Sequence, residues 1–438
     1  MRVFMLGWEF PPYISGGLGT ACYGLTRALD ELGVEVAFVL PMALPQEAAS
    51  HVSFRTPETL ADRRRRSRGA SSAPGAVFHH LEVHVVPALL QPYATPAGFA
   101  EAVARLSAQA DAGADGGPAV ELPEGVFAGG YAGDLMRQVR RYASLAAELA
   151  AEESFDVVHA HDWMTFPAGL AVAARAGRPL AVHVHSTEFD RSGENVNQPV
   201  YDVERAGMHG ADRVICVSYL TRSTVVSRYG VPPEKVQVVY NAVDLPRGRT
   251  ADTTPIARDE KIVLFLGRVT MQKGPEYFLH AAKKVLEKCR KVRFVIAGSG
   301  DLIGKSVELA AELGIGRHVT FTGFLQGDDV ARIFEMADLF VMPSVSEPFG
   351  IAPLEALSHH VPVIISKQSG VSEVLTHVLK VDFWDVDEMA NKILAVLRHP
   401  PLQRVLRQQG HIELRKLSWR DAAAKCKEIY EDLARAGA

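Results

Sequence analysis

The sequence predicts an α/β protein built from two doubly wound parallel sheets that face each other across a cleft. Three observations carry that expectation. Short apolar strands alternate with amphipathic helices from the first residues onward. The alternation stops at a polar, proline-containing stretch, residues 245–259 ("LPRGRTADTTPIARD"), and then begins again. Glycines and charged residues gather where strands give way to helices, which is the end of such sheets where ligands bind. The domains that follow are 1–245 and 246–418, with a final helix of 419–438 free to cross back to the first.

Composition sets the outer limits. The chain has 438 residues, 47% hydrophobic and 22% charged, which is long enough for two or three cores of ordinary globular composition. A net charge of −4 gives no general attraction for nucleic acid. No apolar run reaches the roughly 18 residues of a membrane span. The amino terminus, "MRVFMLGWEF", enters a strand directly, without the apolar stretch and cleavage site of a signal peptide. Cys22, Cys216, Cys289 and Cys426 lie far apart with no CxxC, which fits a reducing cytoplasm rather than a disulfide framework.

In the first block, strands are expected near 2–7, 34–40, 156–161, 180–186, 213–218 and 236–241. Helices are expected over 18–32, 134–151, 164–176, 199–210 and 219–229. Residues 60–75, with the arginine run Arg63 to Arg66, and 107–120, a low-complexity tract, read as surface loops. The basic loop also leaves room for peripheral membrane contact. In the second block, strands fall near 261–267, 292–298, 319–323, 339–343 and 362–366, with helices between them.

The strand-to-helix junctions carry the chemistry. In "PPYISGGLGT" (11–20), Gly16, Gly17 and Gly19 let backbone amides approach a ligand at a helix start, where anions are favoured. The stretch fails as a dinucleotide fingerprint: Cys22 stands where the third glycine belongs, and the second strand ends in Leu40-Pro41 without an acid. No Walker motif follows either. In "LGRVTMQKG" (266–274), Arg268 and Lys273 put two cations at a strand end, which suits a diphosphate. "GSGD" (298–301), beginning at Gly298, gives another close backbone approach. "SEPFGIAPLEA" (346–356) places Glu347 in a loop and Glu355 in the helix that follows, with Gly350 permitting the turn. Two such acids suit either a glycosidase pair or acceptance of hydrogen bonds from sugar hydroxyls.

Two readings concern metals. HxH occurs twice at strand ends, His159 with His161 and His183 with His185, and alternation puts both members of each pair on one face. Zinc would draw on these with Asp162, but no Glu or Cys completes a ligand spacing. The more economical reading puts one histidine of each pair in the cleft and the other, satisfied, in the core. Asp385 of "DVD" sits three residues before Glu388 at the start of a helix, so it is expected to cap that helix rather than hold a metal.

Taken together, "SGGLG", "HAHDW", "YNAVD", "GRVTMQKG", "GSGD", "TGFL" and "EPFGIAPLEA" resemble the retaining glycosyltransferases of GT-B fold, specifically family 4 and the neighbouring glycogen and starch synthases. The resemblance covers nearly the whole chain outside 45–130. It implies a nucleoside-diphosphate sugar donor, a carbohydrate acceptor and no metal or other cofactor. It implies that Gly16 and Gly17 approach the donor diphosphate, that Arg268 and Lys273 bind it from the other side, and that Glu355 holds the ribose. Glu347, with amides around Phe349, Gly350 and Ile351, would hold the sugar, and His161 would contact it near the reacting centre. Segments 298–301 and 322–325, including Gly298 and Leu325, would flank the base. The implied chemistry is front-face transfer with retention, the leaving phosphate accepting the acceptor's proton. "SGGLG" and "HAHDW" lean towards α-1,4-glucan elongation. Ser15 departs from the lysine that glycogen and starch synthases commonly place there, and a lipid or small-molecule acceptor is the alternative. A sugar-nucleotide epimerase, a phosphorylase and a non-catalytic carbohydrate-binding protein are the rival readings on the same scaffold.

Overall fold

The computed structural model describes residues 1–10, 16–41, 54–55, 80–86, 88, 90, 133–244 and 259–436. The arginine run, the low-complexity tract and residues 245–258 of the expected linker lie outside the described residues. The described chain forms two parallel sheets, so the protein is α/β with two Rossmann-like halves.

The first sheet contains β1 (Arg2–Leu6), β2 (Glu35–Pro41), β3 (Phe54–Arg55), β4 (Leu81–Val86), β5 (Val157–His161), β6 (Leu180–Val184), β7 (Arg213–Cys216) and β8 (Val236–Val238), in the order β3-β4-β2-β1-β5-β6-β7-β8. Period-2 alternation sends successive side chains to opposite faces. Phe4, Leu6, Val158, Ala160 and Val182 pack under the helices Gly133–Ala150 and Phe166–Ala176. Val3, Met5, Val157, Ala181 and Ile215 pack on the other face under the helix Gly17–Glu31. Burying each of the larger apolar side chains stabilises the fold by about 1.5–3 kcal/mol.

The second sheet contains β9 (Lys261–Leu266), β10 (Val292–Ala297), β11 (Val319–Gly323), β12 (Leu339–Met342), β13 (Val363–Ser366) and β14 (Leu379–Val381), in the order β11-β10-β9-β12-β13-β14. Strands β3, β4 and β14 and the short helix Glu188–Ser192 join the expected elements. Asp385 Oδ1 accepts from the amide of Glu388 at 2.8 Å, so the "DVD" aspartate is a helix cap.

The last helix, Trp419–Ala436, returns to the first sheet. Its Trp419 lies over Gly24, where a Cβ would come within 2.2 Å of the indole. Its Tyr430 hydroxyl lies 2.7 Å from His159 Nδ1. The halves also meet at the helix Tyr219–Tyr229. Ser218 Oγ donates to the Pro348 carbonyl at 2.6 Å, and the Glu373 carboxylate accepts from the amides of Tyr219 and Leu220 at 2.9 and 2.7 Å.

Candidate active site

Both sheets reverse direction at a definite place. In the first, β1 runs outward to β2 on one side and has β5 on the other. In the second, β9 has β10 on one side and β12 on the other. Loops leaving the carboxyl ends of two such strands diverge and open a crevice between them. Gly16 and Gly17 follow β1, and His161 ends β5. Arg268 and Lys273 follow β9, and Glu347, Gly350, Ile351 and Glu355 follow β12. Both crevices are therefore lined by residues the sequence singled out.

Lys273 closes a one-turn helix, Met271–Lys273, and its Nζ is ion-paired with Glu347 Oε2. Glu347 is buried, and Ser344 Oγ donates to the same oxygen at 3.3 Å. The Glu347 amide donates to the Gln368 carbonyl at 3.0 Å, which fixes the loop against the neighbouring strand end. Arg268 lies beside this pair in sequence and reaches Gln272 Oε1 at 3.3 Å. Phe349 is buried, packed 5.9 Å from the Tyr240 ring. Gly350 begins the helix Ile351–Ser358 with φ +106, a backbone that favours glycine, and no side chain caps that helix start. Glu355 is one turn into the helix, and burial pushes its carboxyl up to about 7. Leu325 is half-buried beyond β11.

The glycines divide into two kinds. A Cβ at Gly298 would lie 1.9 Å from the Gly267 carbonyl oxygen, so the fold alone demands glycine there. A Cβ at Gly16 or Gly17 would meet only ordinary contacts, Glu9 Oε2 at 3.8 Å and Ile351 Cδ1 at 3.9 Å. Among the described residues, nothing closer than these contacts stands over the two glycines. Ile351 packs against the cores of both halves, so it joins the two crevices at Gly17. The sequence reading missed Glu9, whose buried carboxylate accepts from the Gly19 amide at 3.1 Å. An internal carboxylate thus already occupies part of the helix start that was expected to greet an anion. Its only sequence signal is an acid in an otherwise apolar "GWEF".

His161 is fully buried, and its Nδ1 lies 3.0 Å from His185 Nε2. The link from His161 to Glu347 runs through the segment after β6. Asp162, at φ +61, accepts from the amides of His185 and Ser186 at 2.7 and 3.3 Å, and burial pushes its carboxyl up to about 7. Asp190 accepts from the Thr187 amide at 2.7 Å and, at its other oxygen, from Ser346 Oγ at 2.6 Å. The turn after β6 is in this way tied to the residue next to Glu347. The expectation of a satisfied core histidine is corrected for the second pair, where His183 has no hydrogen-bond partner on either ring nitrogen among the described residues. In the first pair His159 meets Tyr430 through Nδ1 and has no described partner on Nε2. His183 stacks with His159, His161 and His185, His161 stacks with His185, and His159 lies tilted against His161, because β5 and β6 are parallel and His161 is registered opposite His183.

Two family models match the chain in succession: Glycosyltransferase Family 4 over residues 99–247 and Glycosyl transferases group 1 over residues 248–412. The D-inositol 3-phosphate glycosyltransferase of a Mycobacterium species is 31% identical over 308 residues, covering 64% of this chain and 69% of that protein. This chain belongs to glycosyltransferase family 4. An uncharacterized glycosyltransferase of Methanocaldococcus jannaschii is 34% identical over 238 residues, and the match spans 51% of this chain and 61% of that relative's length. Among solved structures, sucrose-phosphate synthase of Thermosynechococcus elongatus superposes with a TM-score of 0.72 at 19% identity, over 99% of both chains. Anabaena HepE in complex with UDP and glucose gives 0.69 at 17%, over 99% of this chain and all of that one. At such identities these two show the fold, which is GT-B. Among the described residues no helix is long and apolar enough to cross a membrane.

Proposed function

We propose that this family 4 glycosyltransferase moves a hexosyl unit from a nucleoside-diphosphate sugar to a hydroxyl acceptor with retention at the anomeric carbon. One observation supports the reading: Ile351, at the start of the helix after β12, packs against Gly17 after β1 and so brings the two strand-to-helix junctions together. Arg268 and Lys273 bind the diphosphate, stabilising charge that develops on it as the glycosidic bond breaks. Glu347 and the open helix start at Phe349, Gly350 and Ile351 hold the sugar hydroxyls. Glu355 accepts the two ribose hydroxyls, and Gly298 and Leu325 flank the base. The backbone at Gly16 and Gly17 receives the donor from the other side. His161 aligns the sugar with the acceptor hydroxyl, whose proton passes to the leaving phosphate. The two cations and the helix start supply the electrostatics, so transfer proceeds without a metal. The domains that act are 1–245 and 246–418, with 419–438 as the crossing helix.

Neighbours solved with UDP-glucose support a nucleotide-sugar donor. For the acceptor, "SGGLG" and "HAHDW" favour an α-1,4-glucan extended from its non-reducing end. A second reading, a small-molecule acceptor, is favoured by relatives named for D-inositol 3-phosphate over some 300 residues. Thermal-shift screening of nucleotide sugars, followed by acceptor screening with mass analysis of the product, separates these. A mass increment of one hexose on a phosphorylated cyclitol but none on a glucan refutes the glucan reading. Absence of any transfer with a donor that binds refutes the enzyme reading.

A further inference from the structure

The four stacked imidazoles of β5 and β6 are the least conventional feature of the interior. Most buried polar side chains find hydrogen-bond partners, and a clustered set of orphans asks for an explanation. Here the Nε2 atoms of His159 and His161 and both ring nitrogens of His183 are buried with no partner among the described residues. His159, His161 and His183 each offer one ring nitrogen, and these atoms lie within 4.8 Å of one another. The nitrogens that do have partners are also informative. His159 Nδ1 meets the Tyr430 hydroxyl at 2.7 Å, and His161 Nδ1 meets His185 Nε2 at 3.0 Å. If each Nδ1 carries the proton and donates it, both Nε2 lone pairs are free for a ligand. That is the arrangement of metal-binding histidines, whose second nitrogen donates to an outer partner that fixes tautomer and ring orientation.

We propose that His159, His161 and His183 form a binding site for one divalent transition-metal ion of the zinc class. Neutral imidazole is the ligand such ions take, and three histidines leave a fourth tetrahedral position open. With bonds of about 2.05 Å, ligand nitrogens in a tetrahedral site are about 3.4 Å apart, so no pair of the triad needs to close by more than about 1.4 Å. Hard, oxygen-seeking ions such as magnesium find no carboxylate in the triad. His185, just past the end of β6, is half-buried. The ion engages His161, the side chain that the proposed function sets beside the sugar, so the loaded form is a held state rather than the working one. That last consequence rests on the glycosyltransferase reading; the site itself does not.

The test uses the full chain and cobalt(II) or zinc(II) chloride as probes, with no donor or acceptor present. Metal-free wild-type protein is expected to bind one equivalent of cobalt with the visible absorption of a tetrahedral nitrogen site, and zinc is expected to displace it. His183→Gln and His159→Gln each remove a ligand and are expected to weaken cobalt binding by more than tenfold. Tyr430→Phe keeps all three ligands but removes an outer partner, and is expected to weaken it by about tenfold. It also stands in if a histidine variant fails to fold. A wild-type protein that takes up no cobalt or zinc overturns the proposal, and so does binding that is unchanged in the histidine variants or in Tyr430→Phe. None of these readouts depends on sugar transfer, so the outcome is independent of the proposed function.

Discussion

Replacing Lys273 by Met tests the donor site through two separable effects. In the structure Lys273 is the cation paired with Glu347, whose side chain is 8% exposed. Among the described residues, removing the cation leaves the buried carboxylate with the Ser344 hydroxyl at 3.3 Å as its one remaining hydrogen-bond partner. Breaking a buried pair from one side costs about 3 kcal/mol at the lower end of its usual range. For a domain of this size that lowers Tm by about 6–12 °C. The second effect is on ligand. A charge-assisted contact to phosphate contributes about 1.5–3 kcal/mol, so nucleoside diphosphate should bind about 10–150-fold more weakly. The double variant Lys273→Met with Glu347→Gln removes the stranded charge, so it should recover most of the lost Tm and none of the lost affinity. Glu347→Gln alone frees Lys273 from its partner, so nucleoside diphosphate affinity should hold or rise while turnover falls. Calorimetric titration beside a thermal melt reads both quantities. Undiminished diphosphate affinity in Lys273→Met would refute the assignment of this lysine to the donor.

Three further predictions follow from the same geometry. Glu355 holds its proton up to about 7, above the ordinary 4.5 of the unfolded chain, so its contribution to stability is full below pH 4.5 and is lost as pH rises through 7; if the ionised form accepts the ribose hydroxyls, nucleotide affinity rises between pH 5.5 and 8, and Glu355→Gln should abolish that slope in calorimetry. His161→Ala should lower kcat by about 100-fold or more with nucleotide affinity within about twofold, since misplacing the reacting atoms is costly even when binding survives; a parallel loss of affinity in the titration contradicts a positioning role. Glu373→Ala removes the acceptor for the amides of Tyr219 and Leu220 and for the Tyr240 hydroxyl at 3.0 Å, and a lost helix cap of this kind should cost about 1 kcal/mol in denaturant unfolding.

Much of the fold is legible in the sequence because fully buried parallel strands are continuous apolar runs, and runs such as "KIVLFLG" and "VRFVIAG" have few other readings. Strands β3 and β14 are two and three residues long, too short to show any period, and β4 carries Glu82 and His84 in its run. The five-residue helix Glu188–Ser192 is set by the Thr187 and Asp190 cap and not by apolar spacing. At the candidate site, Arg268, Lys273 and Glu347 stand out in the sequence as charged residues just beyond strands, and Glu355 as an acid in the helix that follows. Glu9 and Glu373 were not, because each satisfies backbone amides brought to it only by tertiary packing. The histidines show the same limit. Alternation predicts a shared face for each HxH pair, but the parallel register of β5 on β6 is what stacks the two pairs together. Gly298 points the other way: it reads as a ligand approach in sequence, yet the Gly267 carbonyl is reason enough for it.

Proton NMR of the freshly formed glycosidic bond tests the central claim most directly. With an α-linked nucleoside-diphosphate hexose as donor, transfer by the two-crevice site should give an α-linked product, whether the acceptor is a glucan or a small molecule. The anomeric proton of the new linkage should therefore show the small coupling of an α-glucoside, in enzyme treated exhaustively with EDTA as well as in enzyme as purified. A β-linked product would contradict the front-face mechanism and the roles given to Arg268, Lys273 and Glu347, and activity lost to EDTA and restored by a divalent metal would contradict its independence of metal.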